Sequence, residues 1–180
     1  MKFIIASDIH GSAYYCEKLL DAFKKEGGER LVLLGDILYH GPRNDLPRDY
    51  APKKVIEMLN EFKDRLLCVR GNCDTEVDQM VLSFPILADY AVIPAKDKLI
   101  YATHGHVYNN SNLPPMIKGD ILLHGHTHIP ACETFDTHVY INPGSVSIPK
   151  DRSENSYIVF DGVSFIWKTL DGETYKTYII

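Results

Sequence analysis

The chain reads as an α/β protein: two sheets with helices outside them, the first half mostly parallel and the second half mainly strands. Three observations lead there. Short apolar runs rich in β-formers recur from end to end. In the first half they alternate with amphipathic stretches at helical spacing, whereas in the second half they follow one another with little between. Run after run stops at a Gly, Asp, Asn or His cluster.

Phe3 to Ser7 is the first buried strand and ends in Asp8-Ile9-His10-Gly11-Ser12. Asp8 and His10, two apart in an extended segment, leave on the same face. Gly11 permits a turn and Ser12 caps the helix that follows. From Ala13 to Lys25, Tyr15, Leu19, Leu20 and Phe23 recur at helical spacing, and Gly27-Gly28 stops the helix. Leu31 to Leu34 is the second strand, followed at once by Gly35-Asp36. Strand, helix, strand in that order predicts a parallel pair, and ligands of such sheets gather at the carboxyl ends of the strands.

Tyr39 to Pro52 holds three prolines and a glycine and reads as an irregular loop; loops of this length are often functional. A helix with Val55, Ile56, Leu59 and Phe62 on one stripe follows. The third strand, Leu66 to Val69, ends in Arg70-Gly71-Asn72-Cys73-Asp74. Later strands are Leu99 to Ala102, running into Thr103-His104-Gly105-His106, and Ile121 to Leu123, running into His124-Gly125-His126-Thr127-His128. Val139 to Ile141 runs into Asn142-Pro143-Gly144-Ser145. Ser156 to Phe160 and Val163 to Lys168 form a hairpin turning at Asp161-Gly162, and a last strand lies near Tyr175 to Ile180.

Composition narrows the function. The 180 residues suit one domain over 1–180. Net charge is −5, without a run of like charges or a basic stripe, which excludes a general nucleic-acid binder and a membrane-surface protein. The apolar start, Phe3 to Ala6, is too short for a signal peptide or a membrane span. None of Cys16, Cys68, Cys73 and Cys132 forms a C-x-x-C pair, so free thiols in a reducing cytoplasm are expected.

An isolated H-x-H pair carries little information. The set Asp8, His10, Asp36, Asn72, His104, His126 and His128 carries much more, because each member follows an apolar strand. Two carboxylates, one amide and four imidazoles suffice for two metal ions sharing a bridging carboxylate. The absence of thiolate from the set argues against a structural zinc site. Mixed nitrogen and oxygen donors suit manganese first, with zinc, iron, nickel and magnesium as the alternatives.

Read in order, Asp8-Ile9-His10, Gly35-Asp36, Gly71-Asn72-Cys73-Asp74, His104 and Gly125-His126-Thr127-His128 resemble the blocks of the calcineurin-like metallophosphoesterase superfamily, D-x-H, G-D, G-N-H-[DE], H and G-H-x-H. Within it the chain is most similar to the small bacterial YfcE-type phosphodiesterases, through Asn72-Cys73-Asp74, His40-Gly41-Pro42-Arg43-Asn44 and Asn142 to Ser147. The resemblance implies a four-layer αββα sandwich, two mixed β-sheets flanked by helices. It also implies two divalent ions: Asp8, His10 and His128 on one, Asn72, His104 and His126 on the other, Asp36 bridging. The implied activity is hydrolysis of a phosphodiester by in-line attack of a metal-bridging hydroxide. Two ions, two carboxylates and one hydroxide leave about +1, which draws in a phosphate anion. The alternatives are a phosphomonoesterase or polyphosphate hydrolase on the same site, and a protein-interaction scaffold of the same fold.

The other candidates are ranked by position. Cys73 stands where many members carry a leaving-group-protonating His; a neutral thiol is a poor substitute, so esters with good leaving groups are the expected substrates. Asp74 is expected to orient His104 or another imidazole. His104, nearer its strand end, is preferred to His106. His40, Arg43 and Asn44, on the long loop, are candidates to contact substrate, Arg43 foremost for its planar fork. His124 reads as packing and His138 as surface. The partner is a small phosphate ester; a homo-oligomer contact through the long loop or a late strand edge is compatible with the sequence.

Overall fold

The computed structural model describes residues 1–180. Its first sheet holds six strands. In chain order they are β1 (Phe3–Ala6), β2 (Arg30–Leu33), β3 (Leu66–Cys68), β9 (Ser156–Phe160), β10 (Ser164–Thr169) and β11 (Thr174–Ile179). The spatial order is β11-β10-β9-β1-β2-β3. The second sheet is built from β4 (Tyr90–Ala95), β5 (Lys98–Thr103), β6 (Ile121–His124), β7 (Ala131–Thr134) and β8 (Val139–Asn142), ordered β4-β5-β6-β8-β7. Both sheets are mixed. β1, β2 and β3 run parallel while β9 lies antiparallel on β1; β5, β6 and β8 run parallel between antiparallel edges β4 and β7.

Period-two alternation explains the layers. On β1, Ile4 and Ala6 face outward onto helices α1 (Ala13–Lys25) and α2 (Pro52–Asn60), against Leu19, Phe23, Val55 and Leu59. Ile5 faces inward, where Val32, Leu34 and Trp167 meet Ile100, Ile121 and Ile141 of the other sheet. Because its central strands are covered on both faces, they are apolar throughout, Ile121-Leu122-Leu123 among them. Ser12 caps α1 as expected, accepting from the Tyr15 amide at 3.3 Å.

Three features differ from the sequence expectation. The layer outside the second sheet is an irregular segment rather than a helix: Tyr101 donates to the Pro115 carbonyl at 2.8 Å and His138 bonds Asn110 at 3.0 Å. Its Gly105, Asn109, Asn110, Asn112, Pro114 and Pro115 are turn-formers that a helix would not tolerate. The hairpin turns one residue later, at Gly162-Val163, because the Asp161 carboxylate accepts the Val163 and Ser164 amides at 2.9 and 2.7 Å. Three elements lack a readable period. β4 carries Pro94 at an edge, β7 is a largely exposed edge, and α3 (Glu76–Val81) is six residues long and held by a Thr75/Asp78 capping box. No helix is long and apolar enough to cross a membrane.

Candidate metal centre

Parallel strands stop at one edge of each sheet, and the two edges meet. Asp8 and His10 follow β1, Asp36 follows β2, Asn72 follows β3, His104 follows β5, and His126 and His128 follow β6. To aim inward, five of these residues adopt left-handed backbone: Asp8 (φ 60°), His10 (49°), Asp36 (56°), His126 (66°) and His128 (63°). None is glycine, so each stores local strain of about 1 kcal/mol or more, the kind that concentrates at functional sites. Two glycines let the loops close up. A Cβ on Gly125 would lie 1.9 Å from Ser7 Oγ and 2.7 Å from Asp8 Oδ2, and one on Gly71 would lie 2.2 Å from Asp36 Oδ1.

Backbone carbonyls fix three imidazoles. His10 Nδ1 lies 2.7 Å from the Tyr39 carbonyl, His104 Nδ1 2.7 Å from that of Leu34, and His128 Nδ1 2.7 Å from that of Ile148. A carbonyl only accepts, so each Nδ1 carries a proton and each Nε2 is the nitrogen turned to the centre, with a lone pair for metal once any second proton is lost. There the donor atoms crowd. His128 Nε2 and His10 Nε2 are 3.3 Å apart and lie 3.3 and 3.6 Å from Asp8 Oδ1. His104 Nε2 lies 3.0 Å from Asn72 Oδ1 and 3.1 Å from His126 Nδ1. Asp36 Oδ2 stands between the groups, 3.6 Å from His10 Nε2 and 3.5 Å from His104 Nε2. Ligands about 2.1 Å from one ion are separated by about 3.0 Å in an octahedron and about 3.4 Å in a tetrahedron. The observed spacings match those edges. Asp8 Oδ1, fully buried and without any hydrogen-bond partner, is the orphan a cation would satisfy. These residues therefore fit divalent metal.

The electrostatics agree. Burial alone would raise the Asp8 pKa, but His10 and His128 beside it hold its carboxyl well below the usual range. Burial opposes charge on His104 too; the neighbouring Asp36 and Asp8 carboxylates nevertheless raise it to about 9. A positive charge is wanted at this spot, and in metal-free protein a proton supplies it.

Arg43 and Asn44 line a cavity of about 410 Å³ opening onto Asp36, Asn72, His126 and His128. Thr127 and Lys150, neither of them a candidate in the sequence, line it as well; Thr127 is the variable position of Gly125-His126-Thr127-His128, and no motif marks Lys150. His40 does not. Its ring packs edge-on against Tyr39 and Tyr50, with centroids 4.8 and 5.2 Å away. His104 is the inward group of its pair, whereas His106 is exposed. Asp74 touches no imidazole: its carboxylate accepts the amides of Asp36 (2.8 Å), Gly71 (2.7 Å) and Ile37 (2.9 Å), because its short turn points it back into the loop after β2. His124 packs on Tyr140 with ring centroids 4.3 Å apart. His138 is buried rather than on the surface, stacked on Phe135 and bonded at both nitrogens by Thr137 and Asn110.

The segment after β8 also acts here without reaching the centre. Buried Asn142 gives its side-chain NH₂ to the Gly125 carbonyl (2.9 Å), Thr127 Oγ1 (3.0 Å) and Tyr140 Oη (2.8 Å). Ser145 and Ser147 both donate to the Asp8 carbonyl, at 2.9 and 3.0 Å. Asn142-Pro143-Gly144-Ser145 is visible as a strand-end motif, but the loop groups it braces, at Asp8, Gly125 and Thr127, are over a dozen residues away in sequence.

This fold and this donor set define a metal-binding phosphoester hydrolase. The model of the calcineurin-like phosphoesterase superfamily domain matches residues 1–164, and the chain belongs to that family. It is 48% identical over 161 residues to the phosphodiesterase YfcE of Escherichia coli K12, covering 89% of this chain and 88% of that protein. The solved structure of the E. coli phosphoesterase superposes with a TM-score of 0.95 at 45% identity, over the whole of both chains. Vps29 of Chaetomium thermophilum, 16% identical, superposes with a TM-score of 0.63 over 99% of this chain and 98% of its own, a likeness of fold alone.

Proposed function

We propose that the chain is a phosphodiesterase with a dinuclear metal centre, cleaving one ester bond by in-line displacement. The observation that carries this is the position of Asp36 Oδ2, shared between His10 Nε2 at 3.6 Å and His104 Nε2 at 3.5 Å. Asp8, His10 and His128 would hold one ion, Asn72, His104 and His126 the other, and Asp36 both. The mixed donors favour manganese. When bound, such a pair supplies Lewis acidity and water acidified to a pKa of about 7.

The remaining steps belong to side chains. Arg43 and Lys150 on the cavity wall attract and orient a phosphate monoanion, and the Asn44 amide adds polar contact. Cys73 abuts the centre, its amide donating to Asp36 Oδ1 at 2.8 Å. Burial first, then Asp36 and Asp74, pushes its thiol up to about 12. At neutral pH it is a neutral thiol and a weak acid, so the departing oxygen leaves without a proton from it. The overall charge of −5 supports a small phosphate ester over nucleic acid.

The test is hydrolysis of bis(p-nitrophenyl) phosphate against p-nitrophenyl phosphate by metal-stripped protein, with Mn²⁺, Zn²⁺, Mg²⁺ or Ni²⁺ added back. Metal-dependent cleavage of the diester is expected, with two ions per chain by metal analysis and loss of at least about a thousandfold in Asp36→Asn. Preference for the monoester would move the assignment to a phosphomonoesterase. Inactivity with metal bound would leave a scaffold of the same fold.

A further inference from the structure

Beside the metal cavity lies a second hollow of about 380 Å³, walled by Leu38, Tyr39, Tyr50, Ile56, Val77 and Val81. The two hollows share Cys73 as a common wall. Their linings are opposite in kind. The first is lined mainly by polar and charged residues and carries the cations Arg43 and Lys150; the second is mostly apolar, and Asp78 is its one charged lining residue. Asp78 is turned aside, bound to the Thr75 amide and hydroxyl at 2.8 and 2.9 Å.

We propose that this hollow is a subsite for an uncharged aromatic substituent of the ester, seated while the phosphoryl group sits in the metal cavity. The proposal rests on the phosphodiesterase reading above and adds the class of substrate. Four observations carry it. The shared wall places the hollow one side chain from the phosphoryl site, the reach of an ester substituent. Its volume takes a ring the size of a phenyl group or a nucleobase. Tyr39, His40 and Tyr50 form a continuous edge-to-face aromatic run along that side, at interplanar angles of 70° and 80°. Finally, the hollow offers no cation and holds one carboxylate, so it disfavours a second phosphate and thereby a polyphosphate chain. Tyr39 also ties the hollow to the centre, since its carbonyl holds His10 Nδ1 at 2.7 Å. Val77 and Val81, 69% and 44% exposed on α3, leave apolar surface open that a ring would cover.

Calorimetric titration of the metal-loaded protein tests this without relying on turnover. The ligands are methyl phenyl phosphate, dimethyl phosphate and inorganic phosphate, with methyl cyclohexyl phosphate separating a flat ring from mere apolarity. Methyl phenyl phosphate is expected to bind at least tenfold more tightly than dimethyl phosphate and more tightly than the cyclohexyl ester. Val77→Asp and Val81→Asp, both at exposed positions, are expected to bring the phenyl and dimethyl esters within threefold of each other. Inorganic phosphate binding and thermal unfolding serve as controls for the metal centre and the fold. Equal binding of phenyl and dimethyl esters by the parent protein, or an undiminished preference in both variants, would overturn the subsite. A phenyl preference without hydrolysis of any diester would instead sink the catalytic reading and leave the subsite standing; hydrolysis without the preference does the reverse.

Discussion

The two halves of the molecule aim the same kind of side chain into one centre but contribute braces of opposite chemistry. In the six-stranded half a single buried carboxylate, Asp74, accepts three backbone amides around Asp36. In the five-stranded half an uncharged amide, Asn142, donates to the Gly125 carbonyl and the Thr127 hydroxyl, while Ser145 and Ser147 reach across to donate to the Asp8 carbonyl of the six-stranded half. The difference follows from what each loop leaves unpaired. The left-handed turn at Asp36 exposes successive N–H groups, which only an acceptor satisfies. The turns at Asp8 and Gly125 expose carbonyls, which only a donor satisfies. Backbone bookkeeping therefore selects the bracing residue.

Swapping the braces breaks this comparison. Asp74→Ala leaves three buried amides bare and is expected to cost about 3–5 kcal/mol, which lowers the unfolding midpoint by roughly 10 °C in a chain this size. Asp74→Asn recovers only part, because its NH₂ must face at least one N–H. A thermal melt of metal-free protein showing less than about 3 °C of change for either variant would refute the charged brace. Asn142→Asp is the mirror experiment: it turns oxygen toward carbonyl oxygen and is expected to cost more than Asn142→Ala, itself about 2 kcal/mol. The opposite ranking would mean that Asn142 acts by packing alone.

The contrast also explains what was legible in the sequence. Asp8, His10, Asp36, Asn72, His104, His126 and His128 all stand within five residues of the end of an apolar run, and parallel strands gather such positions at one edge. The central strands were legible for the same reason. β4, β7 and α3 were not, because each is short and partly exposed and so carries no period. The braces were half legible. Asp74 lies in a motif, but its turn toward amides depends on φ angles at Asp36 that no pattern states. Lys150 reaches the cavity because its amide bonds the His128 carbonyl at 3.1 Å, a contact across more than twenty residues.

Two buried histidines sharpen the comparison through pH. His104 bridges the halves by its Leu34 bond and its contact with Asp36; in metal-free protein it titrates at about 9 against 6.5 unfolded. Its contribution is present below pH 6.5 and is lost as pH rises through 9. His124 lies within the second half; burial above all lowers it to about 4. Its contribution is present above pH 6.5 and is lost as pH falls towards 4. Each amounts to about 3 kcal/mol. Urea midpoints of metal-free protein should peak near pH 6.5 and fall on both sides. Saturating metal displaces the His104 proton, so the alkaline loss should vanish while the acid loss persists. An alkaline limb unchanged by metal would remove His104 from the metal-binding set.

Cys73 gives the smallest effect and lies where the halves meet. If its thiol passes no proton, Cys73→Ser should change hydrolysis of bis(p-nitrophenyl) phosphate by less than about threefold, since p-nitrophenolate departs unaided. Across aryl methyl phosphates the rate should then fall steeply as the pKa of the departing phenol rises. Cys73→His, which restores an ionisable group near neutrality, should flatten that slope by speeding the poor leaving groups, the good ones being little affected. Single-turnover rates are the measurement that matters, because they isolate the chemical step from product release. A flat dependence in the parent protein under those conditions would show that a proton does reach the departing oxygen. The donor would then be one of the groups lining the polar cavity rather than the thiol.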